Sequence, residues 1–416
     1  MLQPVLEPAE IHWDRGRLED GLESMETSLA VLLEEEPDEA VAALAAQVGR
    51  FRFFSGDLDT ASRRIETALE LAEALSLPEV LSEALNTKAL VLISRSRQDE
   101  GSLLLRHALA VALEHDKPSA ALRAFYNLAD AGSSLTDRYE DAVDFVRQGL
   151  AHARKFGNRY WEWSFLGFGF PFYALGAWDD VLAMRDELPH EDWTQARLAY
   201  GTVVRSAVPV CVHRGRLEEA RRMLDAVAEF EQSADVQERV YYGVARCQLL
   251  LTEGDHSEAL RVAESVYAEQ EVLSLAADPI KEAFVLAVQA AVELGRFDKA
   301  DELLSTVERL APGLRPQFVN AQVDRFRAQL AARTGNVEEA ERLFKGAGGL
   351  FHELAIPFYL AVTRLEHAEW LVGEGRAEDA QPLLLEAREI FQRLEAAPWL
   401  ERLAATRADT GVEASA

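Results

Sequence analysis

The sequence predicts an all-α protein folded as an α-solenoid of about ten helical hairpins. A turn signature of the type Gly-Arg-Phe-Asp-Lys-Ala recurs along the 416 residues at intervals of 39 to 41 residues. A fixed period in this range is typical of stacked supersecondary units, not of one globular core. The composition agrees, because the helix-forming residues Ala, Leu, Glu and Arg dominate. The turns begin at Gly16, Gly56, Ser96, Asp137, Gly176, Gly215, Gly254, Gly295, Gly335 and Gly375.

The hairpin around Gly295 shows how each unit is built. Before the turn, residues 280–294 have apolar side chains at the spacing of an amphipathic helix, and residues 297–310 repeat the pattern after it. Gly295 ends the first helix, because glycine adopts a left-handed backbone without side-chain strain. Asp298 follows in the first turn of the second helix, where the helix dipole favours an acidic residue.

Small residues recur at fixed distances from the turn. Alanine occupies the fifth position after the turn in seven of the ten hairpins, as at Ala300. Small residues also recur at the position seven residues before the turn and at the position twelve residues after it. These columns predict a close approach of neighbouring helices. Each hairpin is then expected to contact mainly its neighbours, in an open array without a central core.

A small residue in the first helix, Gly at the turn and Ala early in the second helix together resemble the tetratricopeptide repeat. The resemblance covers roughly residues 5–407 and implies a right-handed superhelix whose inner wall is formed by the first helices. Residues 1–407 are therefore expected to form a single repeat domain that ends in a capping helix over 398–403. Residues 408–416 are expected to be a disordered tail.

Three departures from the repeat stand out. Ser96 and Asp137 replace the turn glycine, a change expected to cost little at a polar turn. In the fifth hairpin, Pro171 removes an internal hydrogen bond and is predicted to kink or break the first helix. The glycine-rich stretch 345–350 follows a helix rather than a strand, so we expect a helix terminus and linker there, not a phosphate loop.

Charge and composition exclude several function classes. The formal net charge of −28 opposes non-specific binding to nucleic acid and docking on anionic membranes. Cys211 and Cys247 form no metal-binding motif, and two cysteines are too few to stabilise ten repeats by disulfide bonds. A reducing compartment, and therefore a cytoplasmic location, is expected. The sequence contains no stretch of about 18 uncharged apolar residues, so no membrane span is predicted.

Motifs for catalysis are also missing. The sequence contains no Walker A loop, no HExxH zinc motif and no GxSxG elbow. The many Glu and Asp pairs lie at predicted helix starts, where capping explains them. The sequence therefore predicts a protein that is not an enzyme, with no catalytic residues, no cofactor and no metal site.

The inner wall of the array is the best candidate for a binding site. Ten residues before the turn, the wall carries Asn86 and Asn127 in adjacent hairpins and Arg205 and Arg325 further along. A carboxamide both donates and accepts hydrogen bonds and suits a peptide backbone, whereas arginine suits a carboxylate or phosphate. The alternative is that these are solvated polar residues of an exposed groove.

Aromatic residues of the fifth hairpin form a second candidate. Trp161, Trp163, Phe172 and Tyr173 belong to a group of seven rings within eighteen residues. Such a group can line a pocket for a small molecule or peptide, or fill the core around a broken helix. The sequence leaves both interpretations open.

Segments such as 63–72 and 368–380 also resemble the C-terminal repeats of bacterial signalling proteins with a class III adenylate/guanylate cyclase domain and a signal-transduction ATPase module, and of ATP-dependent transcriptional activators. The resemblance implies a protein-interaction or sensor module, with a protein or peptide partner in the groove and an upstream ATPase or cyclase module. Apolar residues near the N-terminus, among them Ile11 and Trp13, are expected to contact that module. A free-standing scaffold and a small-molecule or peptide receptor are the alternatives.

Overall fold

The repeated turns divide the chain into helical hairpins, numbered here by their turns. The computed structural model describes residues 18–34, 37–188 and 193–409. The first turn, at Gly16, the N-terminal apolar residues and the tail beyond Asp409 lie outside the described residues. Within those ranges the regular structure is helical and contains no strand.

Most helices alternate between the first and second positions of successive hairpins. The helices are α1 (Leu18–Leu32), α2 (Glu39–Phe54), α3 (Leu58–Ala74), α4 (Pro78–Ser94), α5 (Gln98–Glu114), α6 (Pro118–Asp130), α7 (Tyr139–Lys155), α8 (Arg159–Leu166), α9 (Gly169–Ala174), α10 (Trp178–Glu187), α11 (Trp193–His213), α12 (Leu217–Asp225), α13 (Val236–Glu253), α14 (His256–Ala268), α15 (Gln270–Leu273), α16 (Asp278–Glu293), α17 (Phe297–Glu308), α18 (Gln317–Arg333), α19 (Val337–Glu353), α20 (Pro357–Gly373), α21 (Ala377–Leu394) and α22 (Ala397–Asp409). Of these, α8 and α9 divide the first helix of the fifth hairpin, and the short α15 follows α14. A π-helical turn at Ala131–Leu135 and 3₁₀ turns at Ala228–Gln232 and Pro312–Leu314 join some of them.

The turn column has the left-handed backbone that the sequence predicts. Gly295 has φ +68°, and the two substitutes Ser96 and Asp137 have φ +62° and +51°. The alanine column is buried as expected, since Ala300 and its six equivalents are all inaccessible to solvent. Both features confirm the register of the hairpins over the described residues.

Two local predictions have different outcomes. The first helix of the fifth hairpin is broken as predicted, because α8 ends at Leu166 and α9 begins at Gly169, just before Pro171. The prediction of a linker at 345–350 is wrong, because α19 runs through it without interruption. A Cβ on Gly348 would lie 2.6 Å from Nη1 of Arg364, so the guanidinium group of Arg364 packs directly over this glycine.

Within the predicted repeat domain, the contacts group into two compact units. The N-terminal unit comprises Met1–Ala131 and Phe145–Trp161, and the C-terminal unit comprises Gly132–Asp144 and Glu162–Ala416. In the N-terminal unit a continuous core of buried apolar side chains joins α1 to α5, and it includes Leu22, Ala61 and Val91.

The C-terminal unit has a central core, so the expectation of an open array is wrong there. Phe358 at the start of α20 packs against Trp178 and His213 of the fifth and sixth hairpins, with ring centroids 5.4 and 4.1 Å apart. A Cβ on Gly176 would lie 2.8 Å from Cγ of Pro357. The first helices α11 and α20, which are far apart in sequence, are therefore in direct contact through His213 and Phe358. Trp178 of the fifth hairpin packs beside both rings.

Candidate functional site

A carboxamide pair lies on the first helices of the N-terminal unit. Nδ2 of Asn127 on α6 donates to Oδ1 of Asn86 on α4 at 2.6 Å. Asn86 is 1% exposed, and its own Nδ2 is buried without a hydrogen-bond acceptor among the described residues. Asn127 is half-buried. The structure thus brings the two predicted asparagines together.

Charged and aromatic side chains flank the pair along the same helices. Nη1 of Arg123 lies 3.4 Å from Oε1 of Glu83, one turn before the asparagines on each helix. Next to Asn127, Tyr126 packs edge to face on Trp161, with ring centroids 5.5 Å apart. We call the surface formed by Glu83, Asn86, Arg123 and Asn127 the amide face.

The two predicted arginines occupy the C-terminal unit, and both are buried in ion pairs. Arg205 on α11 is 2% exposed and pairs with Glu282 on α16. Arg325 on α18 forms a bidentate pair with Glu366 on α20, with nitrogen–oxygen distances of 2.6 and 2.7 Å. Their predicted role in ligand binding stays a prediction, and any ligand must reach them inside the unit.

Arg325 lines a cavity of about 250 Å³ within the C-terminal unit. Side chains from α11, α13, α16, α18, α20 and α22 surround it, including Gln248, Gln289 and Trp399. The first helices supply most of this lining, as the sequence predicts for the inner wall.

A hydrogen-bond chain holds the aromatic wall of the cavity. Nε1 of Trp399 donates to Nδ1 of His213 at 3.3 Å, and Nε2 of His213 lies 3.2 Å from the hydroxyl of Tyr173. Burial, together with the neighbouring Tyr359, raises the pKa of Tyr173 well above its ordinary value, so its hydroxyl stays protonated. Burial lowers the pKa of His213 to about 3, so the ring is neutral at physiological pH and both of its nitrogens are used.

The other predicted aromatic residues divide between the two units. Trp161 is half-buried on the N-terminal unit, beside Tyr126. Trp163, Phe172 and Tyr173 are buried in the C-terminal unit and contribute to its core. The structure therefore does not gather the four residues into one pocket.

Sequence reasoning missed a buried charge cluster in the C-terminal unit. Nζ of Lys281 on α16 lies 2.8 Å from Oδ1 of Asp137 and 2.9 Å from Oδ1 of Asp278, and it donates to the carbonyl oxygen of Ser133 at 2.9 Å. The second oxygen of Asp137 accepts the backbone N–H of Phe318 at 2.8 Å. Burial alone would lower the pKa of Lys281, but the two carboxylates outweigh burial and raise it.

Two signals in the sequence point to this cluster. Asp137 departs from the glycine column, and Lys281 interrupts the most apolar of the first helices. Asp137 holds a turn position where its carboxylate joins the fourth hairpin to α16 and α18. Its presence there is structural, and it is more than a tolerated substitute for glycine.

The described residues offer neither a metal centre nor a membrane span. Among them, no group of three or more His, Cys, Asp or Glu side chains is placed to hold a metal ion. No helix within the described ranges is long and apolar enough to cross a bilayer.

Comparison with solved structures identifies the fold class. NprR in complex with its cognate peptide NprX matches at 13% sequence identity and a TM-score of 0.52, over 94% of this chain and 99% of that chain. The apo form of the quorum sensor NprR from B. thuringiensis matches at 12% identity and 0.45, over 94% and 97% of the two chains. A Rap protein complexed with competence and sporulation factor matches at 15% and 0.45, over 79% and 98%.

At these identities the likeness extends to the fold alone. No protein-family model matches the sequence, and no curated protein matches it significantly. The chain has the all-α fold of tetratricopeptide-like helical hairpins.

Proposed function

We propose that this chain is a non-enzymatic receptor module that binds an extended peptide along the amide face of its N-terminal unit. A peptide backbone presents alternating donors and acceptors, and a carboxamide matches both with one side chain. Two carboxamides on successive first helices give a repeating set of partners for such a backbone.

The buried Nδ2 of Asn86 is the observation that carries the proposal. A buried donor without an acceptor costs about 1–3 kcal/mol, and such groups are rare in native proteins. When Asn127 turns toward the ligand, its bond to Oδ1 of Asn86 is lost, and a peptide unit that accepts from Nδ2 and donates to Oδ1 of Asn86 replaces that bond and recovers this free energy. Asn127 is half-buried, so it has the freedom to make that change.

The similarity in fold supports the proposal from a second direction. The solved structure with the TM-score of 0.52 is a complex of NprR with a peptide. A stack of first helices presents a long wall to an extended chain, and the edge-to-face pair of Tyr126 and Trp161 provides an apolar contact at one end of the amide face.

We further propose that peptide binding regulates a larger signalling protein in the cytoplasm. The sequence resemblance to cyclase- and ATPase-associated repeats supports the regulatory role. Cys211 and Cys247 are free, buried thiols, and they support the cytoplasmic location. Isothermal titration of the chain against an upstream ATPase or cyclase module of the same gene tests it. Association supports the regulatory role, and its absence favours a free-standing receptor or scaffold.

The peptide site is tested with peptides selected from a displayed random library. The affinity of a selected peptide is measured by fluorescence anisotropy on the wild-type chain and on Asn127→Ala. Loss of one or two backbone hydrogen bonds predicts binding about 10- to 100-fold weaker. Asn320→Ala, which changes a half-buried asparagine of the C-terminal unit, is the matched control and is expected to bind like the wild type.

Two outcomes would contradict the proposal. In the first, the library yields no peptide that binds the wild-type chain. In the second, the selected peptide binds Asn127→Ala as tightly as it binds the wild type.

A further inference from the structure

The cavity of the C-terminal unit has the features of a separate ligand site. Its volume of about 250 Å³ is close to the lower end of small-molecule pockets, which begin at about 300 Å³. Its deep end is formed by buried residues, among them Phe358 and Val362. Its opening is formed by exposed residues, among them Thr252 and Pro398.

The walls offer apolar contact with little spare hydrogen-bonding capacity. Trp399, His213 and Tyr173 satisfy one another in the hydrogen-bond chain described above, which fixes their rings. Val362 and Phe358 complete an apolar surface beside them. A ligand body therefore meets hydrocarbon and ring faces along most of the cavity.

Polar groups without full partners also line the cavity. Arg325 donates to Glu366 twice and to Oε1 of Gln322 at 3.1 Å, which uses three of its five N–H groups. The carboxamides of Gln248 and Gln289 also line the cavity, and neither makes a side-chain hydrogen bond within the described part of the chain. These groups can donate to an oxygen of a ligand.

The charge beside these polar groups favours a neutral ligand. Glu366 already neutralises Arg325 through a bidentate pair, so a carboxylate or phosphate must compete with a fixed carboxylate for the same cation. The formal net charge of −28 adds a general repulsion of anions.

We infer that this cavity binds a small, neutral, amphipathic molecule. Its carbonyl or carboxamide oxygen accepts from Arg325 and Gln248, and its apolar body packs on Phe358, Val362 and Trp399. The site lies wholly within the C-terminal unit and is independent of the amide face.

Two matched probes test the chemical class on the full chain. 3-Phenylpropanamide and 3-phenylpropanoate share one hydrocarbon body and differ in a neutral or an anionic head. We expect ligand-observed NMR and isothermal titration to show binding of the amide, and the carboxylate to bind at least about tenfold more weakly. No binding of the amide, or equal binding of both probes, would overturn the inference.

Variants place the probe in the cavity. Thr252→Trp adds a large ring at the exposed opening without changing a buried residue, and it is expected to weaken amide binding at least about tenfold. Thr334→Trp, at an exposed threonine after α18 that does not line the cavity, is the control and is expected to bind normally. Equal effects of the two variants, or none from Thr252→Trp, would contradict the site.

Arg325→Met tests the polar end. In this variant the amide is expected to lose its hydrogen bond from Arg325 while keeping the one from Gln248, and to bind at least about tenfold more weakly. Unchanged binding of the amide to folded Arg325→Met would overturn the assigned orientation. Peptide binding by the amide face, measured on the same variants, distinguishes failure of this inference from failure of the proposed function.

Discussion

Replacing Lys281 by methionine tests whether the buried charge cluster holds the C-terminal unit together. Methionine keeps the length and most of the apolar stem of lysine but removes the ammonium group. Lys281 is wholly inaccessible to solvent and joins α16 to Asp137, which precedes it by 144 residues. The substitution leaves the carboxylates of Asp137 and Asp278 buried without their cation.

Removing one partner of a buried ion pair costs about 3–5 kcal/mol, because the remaining charge has lost both water and its counter-ion. Lys281→Met is expected to fall in this range. The double variant Lys281→Met/Asp137→Asn removes one of the stranded charges and is expected to recover part of the loss.

Lys299→Met is the matched control in the same unit. Lys299 also pairs with two carboxylates, Glu264 at 2.8 Å and Glu302 at 3.2 Å, but its partners are exposed. Exposed pairs contribute about 0–1 kcal/mol, so this variant is expected to unfold close to the wild type. Urea unfolding followed by circular dichroism measures the free energy of unfolding of each variant. A loss below about 1 kcal/mol for Lys281→Met, or equal losses at the two lysines, would refute the reasoning.

Three further predictions concern stability and reactivity. Gly295→Val is expected to lower the free energy of unfolding by about 1–2 kcal/mol through left-handed backbone strain alone, because a Cβ at this position has room. Ala300→Leu is expected to lower it by about 1–3 kcal/mol through overpacking between helices. Thermal melts of both variants that match the wild type would show that the register is wrong. The pKa of His213 is lowered from 6.5 to about 3 in the folded protein. As the pH falls below 6.5, the unfolded chain therefore binds a proton that the folded protein does not. The free energy of unfolding is expected to fall by about 1.4 kcal/mol per pH unit between pH 6.5 and pH 3. Urea midpoints are measured from pH 7 to pH 5 for the wild type and for His213→Gln. If the midpoint changes with pH by the same amount in both proteins, His213 is not the source of the pH dependence. Burial raises the pKa of Cys247 to about 12, so the native thiol is expected to resist alkylation at pH 8 until urea unfolds the chain, and rapid modification of the native protein would contradict its burial.

The local part of the fold follows from the sequence. The turn column and the alanine column are periodic, and each depends on contacts within one hairpin or between neighbours. For this reason the left-handed backbone at Gly295 and the burial of Ala300 agree with the prediction.

A second column of residues with positive φ could not be predicted from the sequence. Twenty residues after the turn, the second helix of six hairpins ends at a residue with positive φ. No single residue type marks all of these positions, because several polar and small side chains tolerate this backbone at the end of a helix. The six are Ser76, Asp116, Gly157, Ser274, Ala355 and Glu395.

Long-range packing could not be predicted from periodicity. Arg205 occupies the same repeat position as Asn86, yet the arginine is buried in an ion pair inside the C-terminal unit. The pairing of Lys281 with Asp137 joins segments that no local spacing relates. A repeat pattern specifies neighbours, whereas these contacts arise between hairpins that are two and four repeats apart.

The most direct test of the proposed function asks whether Asn127 recognises the backbone of a bound peptide. A selected peptide and its variants, each N-methylated at one backbone nitrogen, are titrated against the wild-type chain and Asn127→Ala by fluorescence anisotropy. We expect at least one N-methyl group to weaken binding to the wild type but not to the variant, with a coupling free energy of about 1 kcal/mol or more. Additive effects at every position would contradict backbone recognition by the amide face.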